Sequence, residues 1–196
     1  KTEFMPYLHE DPTEDCVLNT WRGWPLLNYR PKRTVNIKKT KCWVLLDTIL
    51  SNNKPRVREF IFDWLACKAQ NPAQKFGSGR IWVIKAVSQG CGKSTFVHFL
   101  IATFGRDNVV FLPNLKALTA DFSWHMHSKI FVFIDDIDAS TNSQTGNLKA
   151  RITAPTWFYQ EKNKTRVEMR CCEEYITTSN CKKPLYQGRE DRRQAY

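Results

Sequence analysis

The most specific chemistry in the chain lies in a short run of small and charged residues. In order, these residues are Ser88, Gln89, Gly90, Cys91, Gly92, Lys93, Ser94 and Thr95. Two glycines allow the backbone to curl so that its N–H groups converge, and a helix starting near Ser94 adds a partial positive charge. We therefore predict that residues 88–95 bind the phosphates of ATP, with Lys93 on the β and γ phosphates and Ser94 on Mg²⁺.

One position departs from the strict nucleotide-loop pattern GxxxxGK[ST]. The first glycine of that pattern falls at Val87 in this chain. The context is nevertheless the required one, because an apolar strand over 81–87 precedes the loop and an amphipathic helix follows it. This context favours a phosphate loop over a plain glycine turn before a helix.

A second chemical signal is an apolar run that ends in acids, Lys129 to Asp138 (KIFVFIDDID). Such a run is typical of a buried strand in a parallel sheet, and its carboxyl end is expected beside the phosphate loop. We predict that Asp135 holds Mg²⁺ and that Asp136 polarises the attacking water. Taken alone, the acids are equally well explained as a helix cap or a solvated turn.

The order of the helices and strands expected around these residues indicates an α/β fold. From Ile81 onward, the order strand, loop, helix, strand, helix, strand predicts a P-loop NTPase with a central, mostly parallel sheet flanked by helices. Before it, apolar residues recur at helical spacing over 44–50 and 57–65, with a break at Asn52 to Pro55. We therefore expect a small N-terminal helical subdomain.

The expected domain organisation has three parts. They are an arm or linker at 1–15, a mixed and helical subdomain at 16–78, and the ATPase core at 79–196.

The amino-acid composition indicates the kind of binding partner and the cellular compartment. The chain has 30 Lys and Arg against 19 Asp and Glu, a net charge of +11, which favours a polyanionic partner. Its seven cysteines form no CxxC pair, and no apolar run approaches the roughly 20 residues of a membrane span. We expect an intracellular protein, neither secreted nor membrane-bound, with reduced thiols. A zinc site at Cys171, Cys172 and Cys181 is disfavoured by the adjacent cysteines.

Seven segments together resemble the superfamily 3 helicase domain of phage and plasmid primase-helicases. This group of AAA+-like P-loop ATPases is itself similar to the poxvirus-type primase-helicase. The segments are LNTWRGWPL from Leu18, FDWLACKAQNPAQK from Phe62, SQGCGKSTF from Ser88, VFIDDID from Val132, LKARITAP from Leu148, ITTSN from Ile176 and DRR from Asp191. Asp136 stands where many relatives carry Glu, and we expect the shorter carboxylate to alter the geometry of the attacking water and thereby the rate of hydrolysis.

The resemblance implies roles for polar residues near the end of the chain. Asn180 matches the sensor residue, whose amide binds the γ phosphate or the attacking water; an Asx turn before Pro184 is the alternative. Arg192 and Arg193 match the arginine-finger region, where one subunit stabilises the transition state on its neighbour's ATP. Either arginine could instead be a solvated charge. The resemblance also implies a hexameric ring and a possible primase or polymerase module on the same polypeptide.

Between the acidic strand and the sensor strand, residues 156–170 alternate in a way that predicts a hairpin with Lys162-Asn163-Lys164 at its tip. In similar helicases a hairpin here enters the ring channel. Lys162, Lys164 and Arg166 are therefore our candidates for contact with the DNA backbone. The alternative is an exposed hairpin made soluble by its charges. Lys149 and Arg151 are expected to face either DNA or the adjacent subunit.

The function that these expectations support is an ATP-dependent replicative DNA helicase motor, acting on single-stranded DNA or a replication fork. A P-loop kinase needs an acceptor site and a lid, for which the sequence offers no candidate. A nucleotide-regulated, ring-forming scaffold that does not unwind stays open because of Val87 and Asp136. An RNA-virus helicase of the same superfamily also stays open.

Overall fold

The computed structural model describes residues 2–6, 18–75, 80–85, 92–118, 120, 123–135, 137 and 142–180. The chain divides into two compact units, one formed by 1–74 with 91–106 and the other by 75–90 with 107–196. The helix that begins at Lys93 belongs to the first unit.

The first unit is mainly helical. Its elements are β1 (Thr2–Glu3), β2 (Leu18–Asn19), α1 (Lys41–Trp43), α2 (Pro55–Gln70) and α3 (Lys93–Phe104). A 3-10 turn, Ile37–Lys39, precedes α1, and α1 continues directly into a π-helix, Val44–Leu50. Strands β1 and β2 pair in parallel, and the Asn19 side chain binds both backbone groups of Met5.

Local chemistry explains where these helices begin and end. The Thr40 hydroxyl caps α1 by accepting from Trp43 N at 3.2 Å. Asn52 and Asn53 adopt left-handed conformations with φ of 51° and 56°, which asparagine tolerates, and Pro55 occupies the first turn of α2. The two predicted helices are therefore present, but the first is wound more widely than an α-helix.

Aromatic packing holds the first unit together. The Trp24 ring lies 5.0 Å from Phe104 in α3 and 5.4 Å from Trp21, measured between ring centroids. Its indole nitrogen donates to Ala69 O in α2 at 2.9 Å. A buried Trp thus contacts both long helices while keeping its polar group bonded.

The described residues of the second unit form a parallel sheet, two helices and a hairpin. Its elements are β3 (Ile81–Lys85), β4 (Val109–Leu112), α4 (Leu115–Leu118), β5 (Phe131–Ile134), α5 (Asn142–Thr153), β6 (Thr156–Tyr159), β7 (Val167–Arg170) and β8 (Glu174–Ser179). Short 3-10 turns lie at Arg106–Asn108, before β4, and at Trp124–Met126.

Strands β3, β4, β5 and β8 form one parallel sheet in the order β3-β8-β5-β4. This confirms the expected α/β fold with a parallel central sheet. All residues of the two inner strands, β5 and β8, are buried, whereas β3 and β4 are partly exposed. Burial on both faces explains why β5 is a continuous apolar run rather than an alternating one.

Helices α4 and α5 pack against this sheet. Leu115 and Leu118 of α4 join Leu148 and Ile152 of α5 in one apolar cluster, which also contains residues of β3, β4, β5 and β8. Each such buried side chain stabilises the fold by about 1.5–3 kcal/mol relative to exposure. Tyr159, at the end of β6, belongs to the same cluster and anchors the hairpin.

Within the described part of the chain, none of the helices has the length and apolar character that a membrane crossing requires.

Candidate functional site

Gly92 sets the entry into α3. Its φ of 92° is left-handed, and Phe96 N donates to Gly92 O at 3.2 Å in the first helical turn. A Cβ on this residue would lie 3.4 Å from Ile49 Cγ2 in the π-helix, and the backbone itself would be strained. Lys93 is half-buried, and Ser94 and Thr95 are exposed at the start of the helix. The other predicted loop residues, 88–91, lie outside the described residues.

Asp135 follows β5 directly and is half-buried. Its carboxylate oxygen Oδ1 accepts from the Thr178 hydroxyl at 2.6 Å. Its backbone N–H donates to Leu112 O, the last residue of β4, at 2.9 Å. The acid is thereby fixed between the two strands that flank β5. Asp136 lies outside the described residues.

Two further hydroxyls of β8 bond to the segment that ends β5. Thr177 Oγ1 donates to Ile134 O at 3.0 Å, and Ser179 Oγ donates to Ile137 O at 2.8 Å. Together with Thr178 they form a hydroxyl ladder of three consecutive buried residues. Sequence reasoning missed this feature; the available signal was a Thr-Thr-Ser run inside an apolar strand.

Parallel pairing brings Asp135 and Asn180 to one edge of the sheet. Ile134 lies opposite Thr177, and Lys85, the last residue of β3, lies opposite Ser179. Asn180, one residue past β8, is exposed. In open α/β sheets, ligands bind outside the carboxyl ends of the strands, which is this edge. Arg192 and Arg193 lie outside the described residues.

The predicted hairpin is confirmed. Strands β6 and β7 pair antiparallel, and Asn163 has a φ of 63° in the loop that joins them. Lys162, Lys164 and Arg166 lie in this loop and are all exposed. Lys164 Nζ bonds Glu161 Oε2 at 2.7 Å, and Arg166 Nε donates to Gln160 Oε1 at 2.8 Å.

Arg151 corrects one expectation from the sequence. It faces neither solvent nor a surface for DNA, because its side chain is 1% exposed. Its Nη2 donates to Glu173 Oε1 at 2.7 Å and to the Tyr159 hydroxyl at 2.6 Å, and its Nη1 donates to Cys171 Sγ at 3.4 Å. The physical reason is helical spacing: Leu148, Arg151 and Ile152 share the face of α5 that packs on the core.

The hydroxyl and thiol that contact this ion pair have raised pKa values. Burial, with the charge of Glu173 adding to it, raises the pKa of Tyr159 well above its ordinary range. The same two causes, in the same order, raise the pKa of Cys171 to about 11. The Tyr159 hydroxyl in turn donates to Glu173 Oε1. One ion pair is therefore surrounded by neutral hydroxyl and thiol groups that bond to it.

Cys171 and Cys172 are both buried and in no disulfide. Among the described residues, no group of three or more His, Cys, Asp or Glu is arranged to hold a metal ion. Cys181, the third cysteine of the disfavoured zinc site, lies outside them.

A family model described as "Family of unknown function (DUF5906)" matches residues 85–193, more than half of the chain. The chain belongs to this DUF5906 family. The match covers the predicted phosphate loop, the acidic strand, the hairpin and the strand before Asn180. The family's description gives no activity, and no curated protein matches the chain.

Among solved structures, the DUF5906 chain is similar to the C-terminal region of NrS-1, residues 305–718, in its apo form. Identity is 20% and the TM-score is 0.77, over 98% of this chain and 45% of that one. An A-form apo structure of the same region gives 22% identity, a TM-score of 0.77 and the same coverage. The chain thus spans less than half the length of these structures, and the likeness shows a shared fold.

Proposed function

We propose that the chain is an ATP-hydrolysing motor of the superfamily 3 DNA helicase type, with a P-loop NTPase fold. The observation that carries the proposal is the strand order of the sheet. Strand β8 lies between β3, which leads into the phosphate-loop sequence, and β5, which ends in Asp135. An acid and an amide are thereby presented at the edge where nucleotides bind in α/β sheets.

The residues present suit magnesium and ATP. Ser94 offers an exposed hydroxyl and Asp135 a carboxylate oriented by Thr178, and Mg²⁺ prefers such oxygen ligands. When bound, the metal and nucleotide supply the phosphoryl group and the charge that neutralises it in transfer to water. In the proposed mechanism, Lys93 binds the β and γ phosphates, and residues 88–92 and Thr95 contribute the rest of the phosphate cradle.

Three further groups act on the attacking water and the developing charge. Asp136 polarises the water, the Asn180 amide positions it or the γ phosphate, and Arg192 or Arg193 from a neighbouring subunit stabilises the transition state. A shared site of this kind requires self-association, for which we propose a hexameric ring. Because the chain spans 45% of the length of the similar solved structures, ring formation and duplex unwinding at a replication fork are proposed for the whole protein.

The hairpin supplies the proposed contact with single-stranded DNA. Its loop presents Lys162, Lys164 and Arg166 to solvent on an anchored base. Contacts of this type are to phosphates, and therefore depend on salt and little on sequence.

The test is ATP hydrolysis with and without single-stranded DNA over a series of protein concentrations. Lys93→Ala is compared with Lys54→Ala, which removes an exposed lysine before α2 in the same unit. We expect activity that needs Lys93, tolerates Lys54→Ala, rises more than linearly with concentration and increases with DNA. Nucleotide binding without turnover under every condition would indicate a nucleotide-regulated scaffold and not a motor. Stronger stimulation of ATP hydrolysis by single-stranded RNA than by single-stranded DNA would indicate that RNA is the substrate.

A further inference from the structure

A cavity of about 260 Å³ lies beside β6 and the loop end of the hairpin, in the second unit. Its walls include Trp157, Phe158, Gln160 and Arg166 of the hairpin, and the other described lining residues are Leu118, Ala120 and Ser123. Consecutive strand residues point to opposite faces, so a cavity lined by both Trp157 and Phe158 lies along the edge of β6. An edge strand also presents backbone donors and acceptors to whatever binds beside it.

The cavity combines flat apolar surfaces with polar groups. Phe158 of β6 is 55% exposed, so its ring is available to a ligand at the surface. Arg166 and Gln160 bond to each other through Nε and Oε1, which fixes both at the wall. Arg166 can donate further through its Nη groups, and Gln160 through its amide.

The ring of Trp157 packs against the guanidinium of Arg151. The guanidinium carbon of buried Arg151 lies 4.9 Å from the centre of its ring, and Arg151 is itself fixed by Glu173 and Tyr159. A ring held in this way loses little conformational freedom when a ligand contacts it. The buried ion pair thus supports one wall of the cavity.

The size and chemistry of the cavity indicate which kind of ligand it can bind. Its volume is below the roughly 300–1,000 Å³ of pockets for drug-sized ligands, so it suits a single planar ring system. Lys162 and Lys164 lie on the same hairpin, a few residues from Phe158, where they can neutralise phosphates. A flat ring joined to an anionic backbone is the chemistry of a single-stranded nucleic acid, in which bases stack on aromatic side chains and arginine planes.

We propose that this cavity binds one unstacked base of the single strand whose phosphates contact the hairpin loop. This inference rests on the proposed function, since it assigns the base-binding part of the same DNA contact. Stacking tolerates any base, because every base has a flat π face, so the site holds the strand without reading its sequence.

The test compares binding of oligothymidylate and of an abasic strand of equal length by the full chain. We expect the wild type to bind the base-containing strand about tenfold more tightly, the usual effect of one base stacked on an aromatic side chain. Phe158→Ala is expected to remove this preference. Val167→Ala is the matched control, because Val167 is an apolar residue of the same hairpin, 45% exposed, and does not line the cavity.

A second measurement locates the base directly. An oligonucleotide containing 5-iododeoxyuridine should crosslink on illumination to Trp157 or Phe158, as mapped by mass spectrometry. Equal affinity for both strands, or crosslinks only outside the cavity, would overturn the base site and leave a motor that holds phosphates alone. Failure of the wild type to bind either strand would overturn both the base site and the DNA contact of the proposed function.

Discussion

The hydroxyl of Thr178 donates a 2.6 Å hydrogen bond to the carboxylate of Asp135. The donor lies next to the last residue of β8, and the acceptor follows β5, so the bond joins the ends of two neighbouring strands. Asp135 is the proposed magnesium ligand, and Asn180 lies two residues beyond Thr178. The same strand end therefore orients the acid and carries the proposed sensor.

Replacing Thr178 with valine keeps its shape and removes the donor. We expect Thr178→Val to lower the free energy of unfolding by about 1–3 kcal/mol, since a partly buried carboxylate loses a partner. ATP hydrolysis should then need more Mg²⁺ and recover at high Mg²⁺, because the ligand is misoriented and not lost. Thr178→Ser, which keeps the hydroxyl, should resemble the wild type. An unchanged Mg²⁺ dependence in Thr178→Val would show that this bond does not orient the metal ligand.

Sequence patterns predicted those parts of the second unit in which residue type matches the burial or the backbone conformation of the position. An apolar run ending in Asp135 gave a buried strand, and Lys162-Asn163-Lys164 gave the hairpin loop, since asparagine accepts the positive φ found at Asn163. Parallel pairing then determined that Asp135 and Asn180 share an edge.

Other features depend on tertiary contacts that cannot be predicted from the spacing of apolar residues. Residues 44–50 have helical apolar spacing, yet Ser51 N bonds Leu46 O, five residues back, and the segment winds as a π-helix. Arg151 looks like a surface cation by residue type, but its position on α5 and the partners Glu173 and Tyr159 bury it. Neither partner is close to it in sequence.

The buried ion pair should contribute far more than an exposed one in the same chain. Arg151→Met leaves Glu173 buried without its cation, and we expect a loss of about 3–5 kcal/mol in the free energy of unfolding. The matched comparison is Lys164→Met, which breaks a pair whose members are 67% and 41% exposed, with an expected effect of about 0–1 kcal/mol.

Urea denaturation of both variants, of Glu173→Leu, and of Arg151→Met combined with Glu173→Leu measures these effects. The double variant should lose less stability than Arg151→Met and Glu173→Leu added together, because no buried charge is left without its partner. Additive losses would indicate that Arg151 and Glu173 stabilise the fold independently.

Stability should also fall in alkaline solution through Cys171. Burial raises the pKa of this thiol from its ordinary 9.0 to about 11, so between these values the unfolded chain loses a proton that the folded chain keeps. The stabilisation is complete below the unfolded pKa and disappears as pH rises to the folded pKa. We expect the free energy of unfolding to decline from pH 9 to 11, less steeply in Cys171→Ala.

Alkylation offers an independent measure of the same thiol. At mildly alkaline pH, iodoacetamide should modify exposed Cys42 rapidly and Cys171 only on unfolding, as followed by mass spectrometry of the peptides. Equal labelling rates in the folded chain would contradict the burial on which the pH dependence rests.

The three loop cations of the hairpin should not contribute equally to DNA binding. Lys164 is paired with Glu161 and Arg166 is bonded to Gln160, whereas Lys162 is exposed and has no side-chain partner among the described residues. We expect Lys162→Ala to weaken binding of single-stranded DNA uniformly across sequences. It should also reduce the slope of log affinity against log salt by about 0.7, the value for one phosphate contact on a single strand.

Glu161→Gln tests whether the ion pair with Glu161 limits the contact of Lys164 with DNA. Removing this carboxylate frees Lys164 for phosphate and removes a like charge from the loop, so DNA should bind more tightly and the salt slope should increase. Affinities are measured by fluorescence anisotropy over a salt series, with Glu168→Gln as a control that removes an exposed acid from β7. If Glu161→Gln changes the slope no more than Glu168→Gln does, Lys164 does not contact phosphate, and the charges of the loop act only through the net charge of the hairpin.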